Sequence, residues 1–238
     1  MKTRLDKNHW LLTRPCAHRG LHGNGVSENS ARAFELAIEN DYPIELDVQM
    51  TADDKLIVIH DDDMFRLTGV RGDVRQMTFN EVRKLRLSDG QGILSFEQFL
   101  SLVAGRVPLL IEIKQQKRKG VENLVLNALN GYKGEFVIQS FDPLIMYRIK
   151  KLAPDIIRGQ LGGGKELPVK GIKAHIVKNM SLNFLVKPDF VNYHLDSLPV
   201  KKSVTNGLPI LGWTVRNEEQ LSKARKYCVS FVFENVTP

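Results

Sequence analysis

Two carboxylates stand two positions apart in one short apolar run of the chain, PIELDVQM at positions 43–50. Side chains alternate across a β-strand, so Glu45 and Asp47 are expected on one face, with Ile, Leu and Val on the other. Two like charges held this close either raise the pKa of one carboxyl group or require a cation between them. The pair therefore predicts a hard divalent metal ion, which prefers oxygen ligands.

Further polar residues with useful chemistry fall where neighbouring predicted strands end. They are His18, Arg19, His60, Glu112 and Lys114. Glu112 and Lys114 repeat the two-residue spacing, so both can face the same way as the first pair. In a parallel α/β barrel the reactive groups gather at the carboxyl ends of the strands, so all seven residues are expected at one mouth.

These residue types predict metal-assisted chemistry on a phosphate group. Three carboxylates suit Mg²⁺ or Ca²⁺, whereas zinc favours more nitrogen or sulfur ligands. Arg19 and Lys114 add positive charge that phosphate oxygens can use. Two histidines can transfer protons as a pair, His18 or His60 activating an attacking hydroxyl and the other protonating a leaving oxygen. The remaining histidines are expected at the surface: His9, His22, His175 and His194.

Short apolar runs alternate with amphipathic stretches, a rhythm that predicts a parallel sheet covered by helices. The predicted strands cover residues 15–18, 44–50, 107–113, 135–140, 155–160, 189–193, 209–215 and 230–234. The predicted helices cover residues 30–40, 95–104, 120–130, 143–152, 170–186, 200–205 and 218–226. This pattern predicts an α/β protein of the (β/α)8 TIM barrel class, formed as one catalytic domain by residues 1–238.

Two parts of the sequence depart from the regular alternation of strands and helices in a (β/α)8 barrel. Residues 61–94 are too many for a βα loop and include a helix-like stretch, so they are expected to form a small insertion after the second strand. The sequence stops at Pro238, soon after the eighth predicted strand. The last helix of the barrel is therefore expected to be missing or truncated.

The charge balance of the chain favours an anionic partner. Its 34 lysines and arginines exceed its 27 acidic residues, which gives a net charge of +7. The basic residues are scattered and lack interleaved aromatic residues, so a small phosphorylated molecule is expected rather than nucleic acid. No stretch reads as a secretory signal or a membrane span, so a cytoplasmic protein without stable membrane insertion is expected. The oligomeric state stays open.

Several motifs in the same order resemble the glycerophosphodiester phosphodiesterases. They are His18-Arg19-Gly20, Glu28-Asn29-Ser30, Glu45-x-Asp47, His60-Asp61 and Glu112-x-Lys114. The resemblance implies a metal-dependent (β/α)8 barrel that cleaves a glycerophosphodiester to sn-glycerol 3-phosphate and an alcohol. By motif it assigns the metal to Glu45, Asp47 and Glu112, acid–base catalysis to His18 and His60, and phosphate contacts to Arg19 and Lys114.

The chain departs from this family pattern near its carboxyl end. The family usually has Thr-Asp in its last strand, where this chain has Glu234 and Asn235. Trp213 ends the seventh predicted strand, where the family often places an aromatic residue beside the glycerol or the leaving group; a core tryptophan is the alternative. Gln139 and Phe141 flank the end of the fourth predicted strand and are expected to line the pocket.

Three other functions use the same set of residues. A lysophospholipase D and a phosphotransferase that makes a cyclic phosphate are enzymes that this site would equally suit. A catalytically silent barrel that only binds a phosphodiester is the alternative outside the enzymes. The two histidines argue against the silent barrel, because binding alone needs no proton transfer.

Overall fold

The computed structural model of the chain describes residues 2–163, 171 and 179–238. These residues form two compact units. One unit runs from Ala17 to Phe136, and the other combines the residues up to Cys16 with those from Val137 onward. Each unit is built from strands that alternate with helices.

The strands are β1 (Cys16–His18), β2 (Ile44–Met50), β3 (Leu56–Val58), β4 (Leu109–Ile113), β5 (Phe136–Ser140), β6 (Arg158–Gly162), β7 (Phe190–His194), β8 (Ile210–Val215) and β9 (Ser230–Phe233). The described α-helices are α1 (Trp10–Thr13), α2 (Ala31–Glu39), α3 (Phe65–Thr68), α4 (Phe79–Val82), α5 (Phe96–Val103), α6 (Val121–Leu129), α7 (Pro143–Leu152), α8 (Asn183–Val186), α9 (Lys202–Thr205) and α10 (Glu218–Tyr227). The strand order and the intervening helices are those of the predicted (β/α)8 barrel.

Parallel pairing aligns the polar residues of β1, β2 and β4 in the unit formed by residues 17–136. His18 lies opposite Glu45 in the β1–β2 ladder, and Asp47 lies opposite Glu112 in the β2–β4 ladder. All seven residues of β2 are buried, including its two carboxylates. The register therefore brings the predicted carboxylates side by side on neighbouring strands.

Helices α2 and α5 cover this part of the sheet, and local sequence signals define where both begin. The Ser30 hydroxyl accepts a hydrogen bond from the backbone N–H of Ala33 at the start of α2. Ser95 and Gln98 form a reciprocal capping box at the start of α5. The ring of Phe34 in α2 meets that of Phe99 in α5 edge-on, with ring centroids 4.6 Å apart.

The stretch after β2 folds as a small substructure, as the sequence predicts. Strand β3 returns antiparallel to β2, and residues 61–94 then contain α3, a 3₁₀ turn at Val74–Gln76, and α4. Apolar side chains from the stretch pack together in a cluster made of Ile57, Ile59, Met64, Leu67, Val74, Val82, Leu87 and Ile93. This cluster holds in place the segment that follows β3.

The other unit carries β5 to β9 as a parallel ladder. The strand predicted at 155–160 begins later, at Arg158. The residues just before Arg158 form a turn instead of a strand. The Arg4 guanidinium donates hydrogen bonds to the backbone carbonyls of Pro154 and Ile156 in this turn. A residue about 150 positions away therefore helps to hold the turn that precedes this strand.

Two other differences concern helices. Helix α1 was not predicted, and the His9 ring caps it by accepting a hydrogen bond from the Leu11 backbone N–H. Of the helix predicted at 170–186, α8 is described, while residues 170 and 172–178 lie outside the described residues. Residues 234–238 contain no helix. Across the described chain, none of the helices has the length and apolar character needed to cross a membrane.

The turn after β1 gives a stability prediction. Gly20 has a φ of +81°, and a Cβ added to it would lie 2.7 Å from the backbone carbon of Ala33. Gly25 has a φ of +86°, but an added Cβ would meet no atom within 4 Å. We expect Gly25→Ala to lower the free energy of unfolding by about 1 kcal/mol through backbone strain alone. Gly20→Ala should cost about 2–4 kcal/mol, because a steric clash adds to the strain.

Urea unfolding of the two glycine variants measures both losses. Equal losses would contradict the close packing of this turn against α2.

Candidate active site

Three buried carboxylates form the centre of the candidate site. Glu45, Asp47 and Glu112 are 3%, 1% and 7% exposed, and one oxygen from each lies within 4.8 Å of the others. Alternation along β2 puts the first two on one face, and the β2–β4 register adds the third. The structure thus brings together the predicted metal ligands.

Two buried cations lie against these carboxylates. Lys114 Nζ is 2.9 Å from Glu112 Oε1 and 3.4 Å from Asp47 Oδ1. Arg19 Nε is 3.1 Å from Asp47 Oδ2, and its backbone N–H donates to Glu45 Oε2 at 3.2 Å. Burial alone would lower the pKa of Lys114, but the charges of Glu112 and Asp47 raise it above its usual value. Both predicted phosphate-binding residues are therefore charged and held at the site.

The site carries more negative charge than these two cations balance. Burial together with the charges of Asp47 and Glu112 raises the pKa of Glu45 well above its usual range. Burial would raise the pKa of Asp47 as well, but Lys114, His60, Arg19 and His18 lower it. A further cation next to Glu45 would let all three carboxylates ionise. Clustered carboxylate oxygens are the donor set that a hard divalent cation prefers, so these residues fit a metal such as Mg²⁺ or Ca²⁺.

His18 lies at the end of β1, next to the carboxylates. It is 8% exposed, and its Nε2 atom lies 4.0 Å from Glu45 Oε2. Its ring centroid is 6.4 Å from that of His22, a half-buried residue that sequence reasoning placed at the surface. The structure therefore places His18 beside the predicted metal ligands.

His60 lies in the segment after β3, and its charge helps to lower the pKa of Asp47. Its Nδ1 atom lies 2.6 Å from Asp61 Oδ1. Burial would raise the pKa of Asp61, but hydrogen bonds with His60 and Arg66 lower it below its usual value. An ionised carboxylate can only accept a hydrogen bond, so Nδ1 carries the hydrogen and Nε2 of the neutral ring can accept a proton.

Two residues of the Glu-Asn-Ser motif support the site directly, although sequence reasoning gave them no contact. Asn29 adopts a φ of +53° and donates from Nδ2 to Asp47 Oδ2 at 3.0 Å. Glu28 accepts hydrogen bonds from Arg19 at 2.5 Å and from Arg66 at 2.8 Å. Burial would raise the pKa of Glu28, but these arginines lower it to about 2. The motif itself was the only sequence signal for these contacts.

Gln49 connects the carboxylate strand to the His60 segment. It lies two positions after Asp47, so its side chain shares the face of the carboxylates. Its fully buried Nε2 donates to the backbone carbonyls of Ile59, His60 and Asp61 at 3.4, 2.9 and 3.0 Å. One amide group thereby fixes the backbone on both sides of His60.

Three predicted substrate-binding residues lie in the other unit, at the ends of β5 and β8. Trp213 donates from Nε1 to the backbone carbonyl of Asn192, and Asn192 Nδ2 donates to Gln139 Oε1. The Trp213 ring meets Phe141 edge-on at 5.5 Å and His194 at 4.6 Å. His194 was expected at the surface but is half-buried. The β7–β8 ladder places it opposite Trp213, and its ring packs against the indole. His175 lies outside the described residues.

The (β/α)8 barrel and its cluster of carboxylates, histidines and cations suit an enzyme that acts on phosphate esters, and the relatives of this chain define the class as phosphoric diester hydrolase. The model of the glycerophosphoryl diester phosphodiesterase family matches residues 18–237. The chain therefore belongs to the glycerophosphoryl diester phosphodiesterase family.

Named relatives and solved structures agree with this membership. A glycerophosphodiester phosphodiesterase of Caldanaerobacter subterraneus is 31% identical over 231 residues, which cover 91% of each chain. A crystal structure of a glycerophosphodiester phosphodiesterase from Parabacteroides distasonis has a TM-score of 0.75 at 25% identity and covers 94% of this chain and 92% of its own. An Oleispira antarctica phosphodiesterase, solved with the product sn-glycerol-3-phosphate, has a TM-score of 0.77 at 19% identity over 93% of this chain and 92% of its own. The last likeness shows the fold alone.

The Gln49 contacts generate a second stability prediction. Gln49→Glu replaces the buried donor by a carboxylate that faces three carbonyl oxygens, so the free energy of unfolding should fall by about 2–3 kcal/mol. Gln220→Glu is the matched control, because Gln220 uses Oε1 to accept a hydrogen bond from the Arg216 N–H and a carboxylate can do the same. The control should change the free energy of unfolding by less than about 0.5 kcal/mol. Equal effects in thermal or urea unfolding would contradict the donor role of Gln49.

Proposed function

We propose that the protein hydrolyses glycerophosphodiesters to sn-glycerol 3-phosphate and an alcohol, with the help of one divalent cation. The observation that carries this proposal is the carboxylate cluster of Glu45, Asp47 and Glu112, with His18 and His60 beside it. Family membership supports the substrate class. The substrate is a small molecule, and its phosphodiester group meets the cations of the site.

The cation would be held by Glu45, Asp47 and Glu112, and either Mg²⁺ or Ca²⁺ suits this oxygen set. When bound, such a cation stabilises negative charge on phosphate oxygens and orients the reacting groups. It would also offset the charges of Asp47 and Glu112, which together with burial raise the pKa of Glu45.

Arg19 and Lys114 bind and orient the phosphate group. Both are fixed by carboxylates of the site and lie within 3.4 Å of Asp47 oxygens. An arginine carries five N–H donors and a lysine carries three. Donors beyond those used on the carboxylates are available for phosphate oxygens, and donors fixed in advance cost no reorganisation during the reaction.

His18 and His60 move the two protons of the reaction. One histidine takes a proton from the attacking water molecule while the water oxygen forms the new P–O bond. The other gives a proton to the alcohol oxygen as its P–O bond breaks, and the phosphate stays with glycerol. Asp61 holds His60 with Nδ1 protonated, so Nε2 exchanges the proton. Trp213, Gln139 and Phe141 are proposed, from their positions in the sequence, to contact the organic part of the substrate.

Metal removal tests the cation role. We expect release of sn-glycerol 3-phosphate from glycerophosphocholine or glycerophosphoethanolamine to stop in EDTA and to return when excess Mg²⁺ or Ca²⁺ is added. An enzyme-coupled assay for glycerol 3-phosphate measures the turnover. Undiminished turnover in EDTA would contradict the metal role, and the ion that restores it identifies the cofactor.

Histidine replacement tests the acid–base pair. His18→Ala and His60→Ala should each lower kcat by about 10²- to 10⁴-fold, because each removes one proton transfer. His9→Ala is the control, since His9 caps α1 and is not part of the carboxylate cluster, and this variant should leave kcat unchanged. If His18→Ala or His60→Ala kept full activity in the same assay, that histidine would have no part in proton transfer.

A further inference from the structure

Arg66 connects two parts of the candidate site that are separate in the sequence. It lies in the short helix α3 of the segment after β3. Its guanidinium donates to Asp61 at 2.5 and 2.9 Å and to Glu28 at 2.8 and 2.8 Å. Both planar carboxylates therefore receive two hydrogen bonds from one guanidinium, a geometry that an arginine can provide and a lysine cannot.

The two carboxylates lead to different functional residues. Asp61 accepts the hydrogen bond from His60 Nδ1, with the atoms 2.6 Å apart. Glu28 accepts a hydrogen bond from Arg19 at 2.5 Å, and Arg19 in turn lies against Asp47. A continuous chain of charged groups thus runs from the proton-transfer histidine to the phosphate-binding arginine.

Loss of Arg66 would affect the two ends of this chain unequally. Glu28 would keep its ion pair with Arg19, and it is only 12% exposed. Asp61 would lose both guanidinium hydrogen bonds and keep the one from His60. The Asp61 carboxylate would then be able to rotate, and the orientation of the His60 ring depends on that carboxylate. The consequence should fall on proton transfer rather than on phosphate binding.

We propose that Arg66 is a positioning residue that holds the Asp61 carboxylate and, through it, the His60 ring in the orientation needed for proton transfer. The proposal rests on the proposed role of His60 in hydrolysis. It also gives the segment after β3 a function, because α3 supplies the group that orients the histidine.

Kinetics of Arg66→Ala test the proposal directly. We expect kcat with glycerophosphocholine to fall about 10- to 100-fold with little change in KM, because a misplaced reacting group slows chemistry more than binding. Arg66→Lys should recover only part of kcat, since an ammonium cannot make both pairs of hydrogen bonds. Added millimolar guanidinium should raise the kcat of Arg66→Ala by filling the vacated place.

Arg71→Ala is the matched control from the same segment. Arg71 lies 4.6 Å from the Phe65 ring centroid and 3.9 Å from Asp63, and its side chain is 79% exposed. The control should keep the kcat of the unaltered enzyme and should not respond to guanidinium. Asp61→Asn provides a second test if Arg66→Ala does not fold. It keeps the side-chain shape and should show the same kcat loss, without rescue by guanidinium.

Two further variants separate this proposal from the proposed function. Arg66→Ala should cause no further loss in a His60→Ala background, because it acts through His60. An unchanged kcat in Arg66→Ala, a rise in KM alone, or independent losses in the double variant would overturn the proposal. Full activity of His60→Ala would instead contradict the proposed acid–base role, whatever Arg66→Ala shows.

Discussion

Electrostatic repulsion among three buried carboxylates is the interaction on which the rest of this structure depends. Glu45, Asp47 and Glu112 bring their oxygens within 4.8 Å of one another inside the protein. Such a cluster is costly unless positive charge surrounds it. Lys114 and Arg19 supply two positive charges against three carboxylates, and burial together with the charges of Asp47 and Glu112 raises the pKa of Glu45. A divalent cation would offset the remaining negative charge and attract the anionic phosphodiester.

The supporting residues follow from this constraint. Arg19 touches two of the three carboxylates and would itself lose orientation without Glu28. Gln49 ties the carboxylate strand to the backbone around His60. The charge balance of the cluster and the proposed proton transfer therefore depend on one connected set of groups. A change in any supporting residue is expected to reach the chemistry through the orientation of a neighbour rather than through direct contact with substrate.

The clustering of Glu45, Asp47 and Glu112 could be predicted from the sequence because its signals are local. Two-residue spacing in β2 and β4 defined the shared face, and the parallel barrel brought those strands together. The supporting contacts escaped prediction because they join distant positions. Arg66 and Glu28 are 38 residues apart, and no local pattern pairs them. The predicted start of β6 was also wrong, and the turn before this strand accepts hydrogen bonds from Arg4, about 150 residues earlier.

The central claim is that the carboxylate cluster binds one divalent cation. Calorimetric titration of metal-free protein with Mg²⁺ and with Ca²⁺ tests it most directly, because it requires no substrate and no assumption about the reaction. We predict that one cation binds per chain and that Glu112→Gln, which removes one charge but keeps the side-chain shape, loses most of that affinity. Absence of binding for both ions, or equal affinity in Glu112→Gln, would contradict the account.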